Sequence, residues 1–189
     1  VGSRFEFDNI KHKDFELFDK ICMITDDGIM SLAVAKALME TEKVVQWDDT
    51  QDRSNLRYAE LLKENAIIHM QKIGRRYPHC GYGGMFIRWV FSDDPQPYNS
   101  FGNGAAMRIS AVGFVSKTME EAIEKSRIIT AVSHDHIEGI KGAEATVVAI
   151  MMARKGFSQA EIKEKISNEY YNLDFTIDEI RDTYHFNET

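Results

Sequence analysis

"TDDGIMSLAVAKALME", residues 25–40, sets a threonine and two adjacent aspartates directly before an apolar run. From residue 29 the run is apolar on nearly every side of a helix, the pattern of a buried helix rather than a surface one. After this run, helical signals dominate. Between Asn55 and Ile73, Tyr58, Leu61, Leu62, Ile68 and Ile73 form a helical stripe that Gly74 can terminate. Residues 118–132 open with "TMEE", in which Thr118 and Glu121 form a capping box, and Met119, Ala122, Ile123 and Ile129 then share a face. Ser158 with Glu161 and Thr176 with Glu179 repeat the box. The first of these pairs precedes Ile162, Ile166 and Tyr170 at four-residue steps.

The segment "EGIKGAEATVVAIMMAR", residues 138–154, differs in kind. Gly139, Gly142, Ala143, Ala145 and Ala149 alternate with larger apolar residues, and small side chains let another backbone come close, so this helix is placed centrally. No segment alternates with period two for long enough to build a sheet. The class is all-α, with residues 1–189 as one domain.

Composition narrows the function. Hydrophobic residues make up 43% and charged residues 28% of the chain, the mix of a soluble globular protein. No apolar run approaches the roughly 20 residues that cross a bilayer. The formal net charge of −7 argues against nucleic acid as the primary partner. Cys22 and Cys80 lack CxxC spacing and read as reduced thiols of a cytoplasmic protein.

Five segments could carry chemistry, each beside a plainer reading. Thr25, Asp26 and Asp27 could simply cap a helix, where carboxylates favour the positive end of the dipole. They could equally hold a hard divalent cation, which would explain two mutually repelling carboxylates side by side. "QPYNSFGNGAAMRISAVGF", residues 96–114, is a polar glycine-bearing loop entering a helix. It is either an ordinary turn or an anion site of the kind helix starts provide. His134 and His136 have the i,i+2 spacing of zinc ligands but no further ligand at a useful distance, so a hydrogen-bonding histidine at a helix mouth is the expectation. Glu6 lies between Phe5 and Phe7, as a surface acid or a base. Arg75 and Arg76, beside "CGYGG", are an anion patch or a helix end with two solvated arginines.

Taken in order, "GSRFEF", "TDD", "GYGGMF", "FSDDPQPYNSFGNGAAMR" and "SHDHIEGIKGAEA" resemble the ADP-ribosylglycohydrolase family over essentially the whole chain. The resemblance implies an all-α bundle around two Mg²⁺ or Mn²⁺ ions and cleavage of the bond between the ribose C1″ and a protein side chain or small molecule. Its partners would be ADP-ribose or an ADP-ribosylated protein. Carried over residue by residue, it implies Thr25, Asp26 and Asp27 as metal ligands. Glu6, Asp26 and Asp27 would be catalytic. Ser100, Phe101, Gly102 and Asn103 would hold the diphosphate and adenosine side, with His134 near the phosphates.

Two departures accompany the likeness. Gly28 stands where the family continues with threonine, and glycine costs that turn about 1 kcal/mol of helix stability relative to a good helix former. The family also has a later "GGDSDT"-like segment completing the metal pair, and residues 1–189 contain none, so the expectation is a half-site with one ion or none. Three functions follow from this. The chain is a metal-dependent hydrolase completed elsewhere, a module that binds ADP-ribose without turnover, or a fragment with an empty site.

Overall fold

The computed structural model describes residues 2–5, 10–47 and 55–184. A 3₁₀ turn, Gly2–Phe5, precedes α1 (Asp26–Trp47), α2 (Asn55–Gly74), α3 (Gly84–Phe91), α4 (Gly104–Arg108) and α5 (Ser110–Val115). Then come α6 (Met119–Ala131), α7 (Ile137–Arg154), α8 (Gln159–Glu169) and α9 (Ile177–Ile180). Among the described residues there is no strand, and no helix is long and apolar enough to cross a membrane. The fold is all-α, as the periodicity indicated.

α1 buries Ile29, Met30, Ala33, Val34, Ala37 and Leu38, a broad stripe at helical spacing. Leu32 and Met39 lie outside it, 60% and 56% exposed, so α1 is covered on a wide face rather than all round. Exposed apolar side chains are common on folded proteins, and sequence alone cannot tell them from the core set. Against this face α2 lays Leu62, Ala66 and Met70, while Ile68 points out. Polar bonds fix the register of the pair: Tyr58 donates to the Glu42 carboxylate at 2.7 Å, and Asn65 donates to Thr41 Oγ1 at 3.0 Å.

Gly74 is the last residue of α2, but close packing rather than capping explains the glycine. It does not take the left-handed conformation of a glycine cap. A Cβ there would sit 3.1 Å from Val90 Cγ1 and 3.3 Å from Met30 Cε, so its bare backbone lets α3 approach α1 and α2. The next residue, Arg75, is not simply solvated. Its Nε donates to Val90 O at 2.8 Å and its Nη2 to Ser92 O at 3.0 Å, satisfying carbonyls that α3 leaves open at its end.

Both later capping boxes form: Ser158 with Glu161 and Thr176 with Glu179. At α6 the box is offset. Thr118 Oγ1 accepts from Glu121 N, but the Glu121 carboxylate turns back to Lys117 N, one residue too early. The same glutamate pairs with Lys125 at 2.7 Å, a lysine only 7% exposed that also reaches Glu42. That pairing keeps the buried ammonium charged, its pKa raised by Glu121 and Tyr58 against the cost of burial.

α7 is central, packing against α4, α5, α6 and α8. Its small residues permit this, as the sequence implied. Gly28, near the head of α1, is open to improvement. A Cβ there would lie 3.2 Å from Ile24 Cγ1, and Ile24 is 53% exposed and free to give way. Gly28→Ala is therefore expected to stabilise the fold by about 0.5–1 kcal/mol, read as a higher urea midpoint.

Candidate functional site

The head of α1 is held from two directions. Thr25 is its N-cap residue, its carbonyl accepting from Ile29 N at 3.1 Å, while its hydroxyl donates to Asp27 Oδ2 at 3.0 Å. Asp26 N donates to Cys80 O at 2.9 Å, tying the helix start to the loop before α3. Gly81 follows with φ +106°, a conformation glycine adopts at no steric cost, and a Cβ there would lie 3.5 Å from Asp26 Oδ1.

Beside this head lies a cavity of about 530 Å³. Its walls come from Asp26, from Gly83 to Phe86 at the start of α3, from residues 98–103, and from Gly104, Arg108 and His134. Such a volume suits a small-molecule or cofactor site. Phe86 stacks parallel to Trp89 with centroids 5.5 Å apart, presenting an aromatic wall.

The loop wall is built with care for its backbone. Asn99 sits at φ +54°, a conformation asparagine tolerates better than most residues, and its N–H donates to the Asp135 carboxylate at 2.6 Å. Ser100 Oγ accepts from Gly102 N at 3.2 Å, closing the next turn. Behind it, Gly139 of α7 lies so close that a Cβ would fall 2.7 Å from Ser100 O. Phe101 stays 65% exposed at the rim, edge-on to His136. Asn103 precedes α4 without spending its side chain on a cap.

The histidines of residues 133–145 have separate tasks, neither of them zinc-like. His136 caps α7, Nδ1 accepting from Glu138 N at 3.1 Å. His134 is buried, its Nδ1 2.8 Å from Ser133 Oγ and its Nε2 lying where a Cβ on Gly104 would approach to 2.8 Å. Below it lies Arg108, wholly buried, with Nη2 donating to Ser133 Oγ at 2.8 Å and its guanidinium over the Phe86 ring at 5.4 Å. Burial lowers the pKa of Arg108 to about 10, which leaves it cationic at neutral pH. Burial and the charge of Arg108 pull His134 down to about 3, which keeps its ring neutral. Burial also pushes the Tyr98 phenol, another wall residue, up to about 12. The cavity floor thus carries a fixed positive charge and an uncharged imidazole.

The structure brings Asp26, Ser100, Phe101, Gly102, Asn103 and His134 to one cavity. Thr25 and Asp27 stand at the same helix head but outside the lining. Glu6 lies outside the described residues. Among the described residues, no group of three or more His, Cys, Asp or Glu side chains gathers as a metal cluster. Residue-by-residue reading missed Tyr98, Arg108, Ser133 and the opening turn of α3. The glycines of "GYGGMF" marked that turn, but eight residues are too few for a periodic signal.

A family model for ADP-ribosylglycohydrolase matches residues 1–187. The chain is also 26% identical over 165 residues to the ADP-ribosylhydrolase ARH3 of Xenopus tropicalis, an alignment covering 82% of this chain and 44% of that relative. It therefore spans less than half the length of the curated relative it matches. The match over nearly every residue, on an all-α fold whose cavity draws on the segments carrying the likeness, makes this chain a member of the ADP-ribosylglycohydrolase family.

Proposed function

We propose that the cavity binds ADP-ribose and that this chain, as a single domain, supplies that site for hydrolysis of ADP-ribosyl linkages on a protein or small molecule. The observation that carries this reading is the gathering of Asp26 with residues 100–103 and His134 around one cavity of suitable size. Exposed Phe101 offers a face for adenine stacking, Asn103 keeps its amide for the ligand, and buried Arg108 provides a positive field for a diphosphate. Glu6 is assigned the proton-transfer role by its place in the family pattern. A cytoplasmic setting suits two cysteines that form no disulfide.

The head of α1 fits a hard cation. Its donors are all oxygens, two carboxylates and a hydroxyl, and Mg²⁺ is commonly held by one or two carboxylates with water completing the shell. Thr25, Asp26 and Asp27 would hold Mg²⁺ or Mn²⁺, which when bound supplies Lewis-acid polarisation and a more acidic water. Asp26 is the ligand facing the cavity, and the Thr25–Asp27 hydrogen bond fixes the second carboxylate. A second reading is a module that binds ADP-ribose without cleaving it, favoured by the small donor set among the described residues.

Thermal melting tests the site. Millimolar Mn²⁺ and ADP-ribose should each raise the melting temperature, since a ligand of the native state stabilises it. Asp26→Ala and Asp27→Ala are expected to abolish the Mn²⁺ shift, and a full shift in both variants rejects the metal assignment. Release of ADP-ribose from a modified protein separates the readings: turnover supports the hydrolase, and binding without release supports the module.

A further inference from the structure

We propose that Arg108 and Ser133 are positioning residues that lock His134 in one tautomer, with Nδ1 accepting from Ser133 and an Nε2–H donor directed into the cavity. The inference follows from which atoms can donate. A guanidinium has only donors, so the 2.8 Å contact from Arg108 Nη2 makes Ser133 Oγ an acceptor on that side. Ser133 is wholly buried, and its other side-chain partner is His134 Nδ1 at 2.8 Å. Were Nδ1 protonated, the serine hydroxyl would be left a buried donor without an acceptor, a costly state. The hydroxyl therefore donates to Nδ1, and a neutral ring carries its proton on Nε2.

The surroundings reinforce this. The groups facing the ring are Arg108 from α4, Tyr98 from the loop and the apolar ring of Phe86 from α3, with Asp26 on the cavity wall contributed by α1. The nearby Asp135 carboxylate is engaged by Asn99 N. The close cation is thus Arg108, which together with burial opposes a second proton on the imidazole. Gly104 leaves room for Nε2 over the start of α4. In this form His134 gives a hydrogen bond to an acceptor, such as a hydroxyl or phosphate oxygen, and offers no lone pair at Nε2 to a metal or a proton. Only the identity of that acceptor rests on the ADP-ribose reading.

Nitrogen-15 NMR of the histidine rings in the ligand-free chain tests the lock. His134 should show the Nε2–H pattern unchanged across the pH 5–8 window in which an ordinary imidazole titrates. An Nδ1–H pattern, a tautomer mixture or titration within that window overturns the proposal. Ser133→Ala should produce a mixture and weaken ADP-ribose binding about tenfold, with Ser133→Thr restoring the single tautomer. A pure Nε2–H pattern persisting in Ser133→Ala overturns the role of Ser133. Should Ser133→Ala fail to fold, the wild-type spectrum decides alone. A locked ring in a protein that binds no ADP-ribose upholds the positioning pair and rejects the ligand reading.

Discussion

Trp89→Ala is expected to cost about 3–5 kcal/mol of stability, the range for emptying a buried aromatic site. Trp89 is 3% exposed, its ring lies parallel to Phe86, and its indole Nε1 donates to Val132 O at 3.0 Å. Truncation removes the packing and leaves a carbonyl at the end of α6 without its donor. α3 is only eight residues long, too short to hold its shape without tertiary contacts. The loss should therefore spread to Phe86 and weaken the proposed ADP-ribose binding as well. Urea denaturation followed by circular dichroism gives the cost. Trp89→Phe, which keeps a ring and loses the N–H, should retain most of the stability. A cost below about 1 kcal/mol for the alanine variant would mean that Trp89 does not anchor α3.

Gly139→Ala should strike the site more directly. The added methyl would meet a backbone oxygen, Ser100 O, at 2.7 Å, and His134 Cβ at 3.4 Å. A backbone atom cannot rotate away, so either the 99–103 loop or the first turn of α7 must move. Overpacking of this kind costs about 1–3 kcal/mol. Because the displaced loop forms a cavity wall, the proposed ADP-ribose affinity should fall by about tenfold or more, equivalent to about 1.4 kcal/mol. Gly142→Ala is the matched control on the same helix. Its Cβ would meet Tyr171 Oη at 3.5 Å, an ordinary contact, so it should be neutral or mildly stabilising. Equal binding by the two variants in calorimetry would remove Gly139 from the architecture of the site.

The helices were legible wherever an apolar stripe or a capping box ran long enough. α1, α2, α6, α7 and α8 are such cases, and the small residues of α7 correctly announced a close neighbour. Packing choices were less legible. Ile68 and Leu62 look alike in sequence, yet one is exposed and the other buried, because the position of α1 decides which edge of the stripe is covered. In residues 96–114 the expected loop and helix are present, but the helix is broken into α4 and α5 at Ile109. Arg108 escaped notice because an arginine in a polar stretch reads as a surface cation. Its burial depends on Phe86 and Ser133, which come from opposite sides of it in the chain. The site residues carried over from the family pattern came from motif order, which no single motif could have supplied.

The junction after α6 has a consequence for how this architecture can drift. Val132 O receives the indole of Trp89, and Ser133 O receives the Tyr98 N–H at 3.2 Å. Both acceptors belong to the peptide skeleton, which no substitution deletes. Descendants that keep the indole at 89 could exchange the side chain at 132 while both neighbouring segments stayed moored to this junction, so a comparison of residue identities at 132 alone would overlook a fastening that endures.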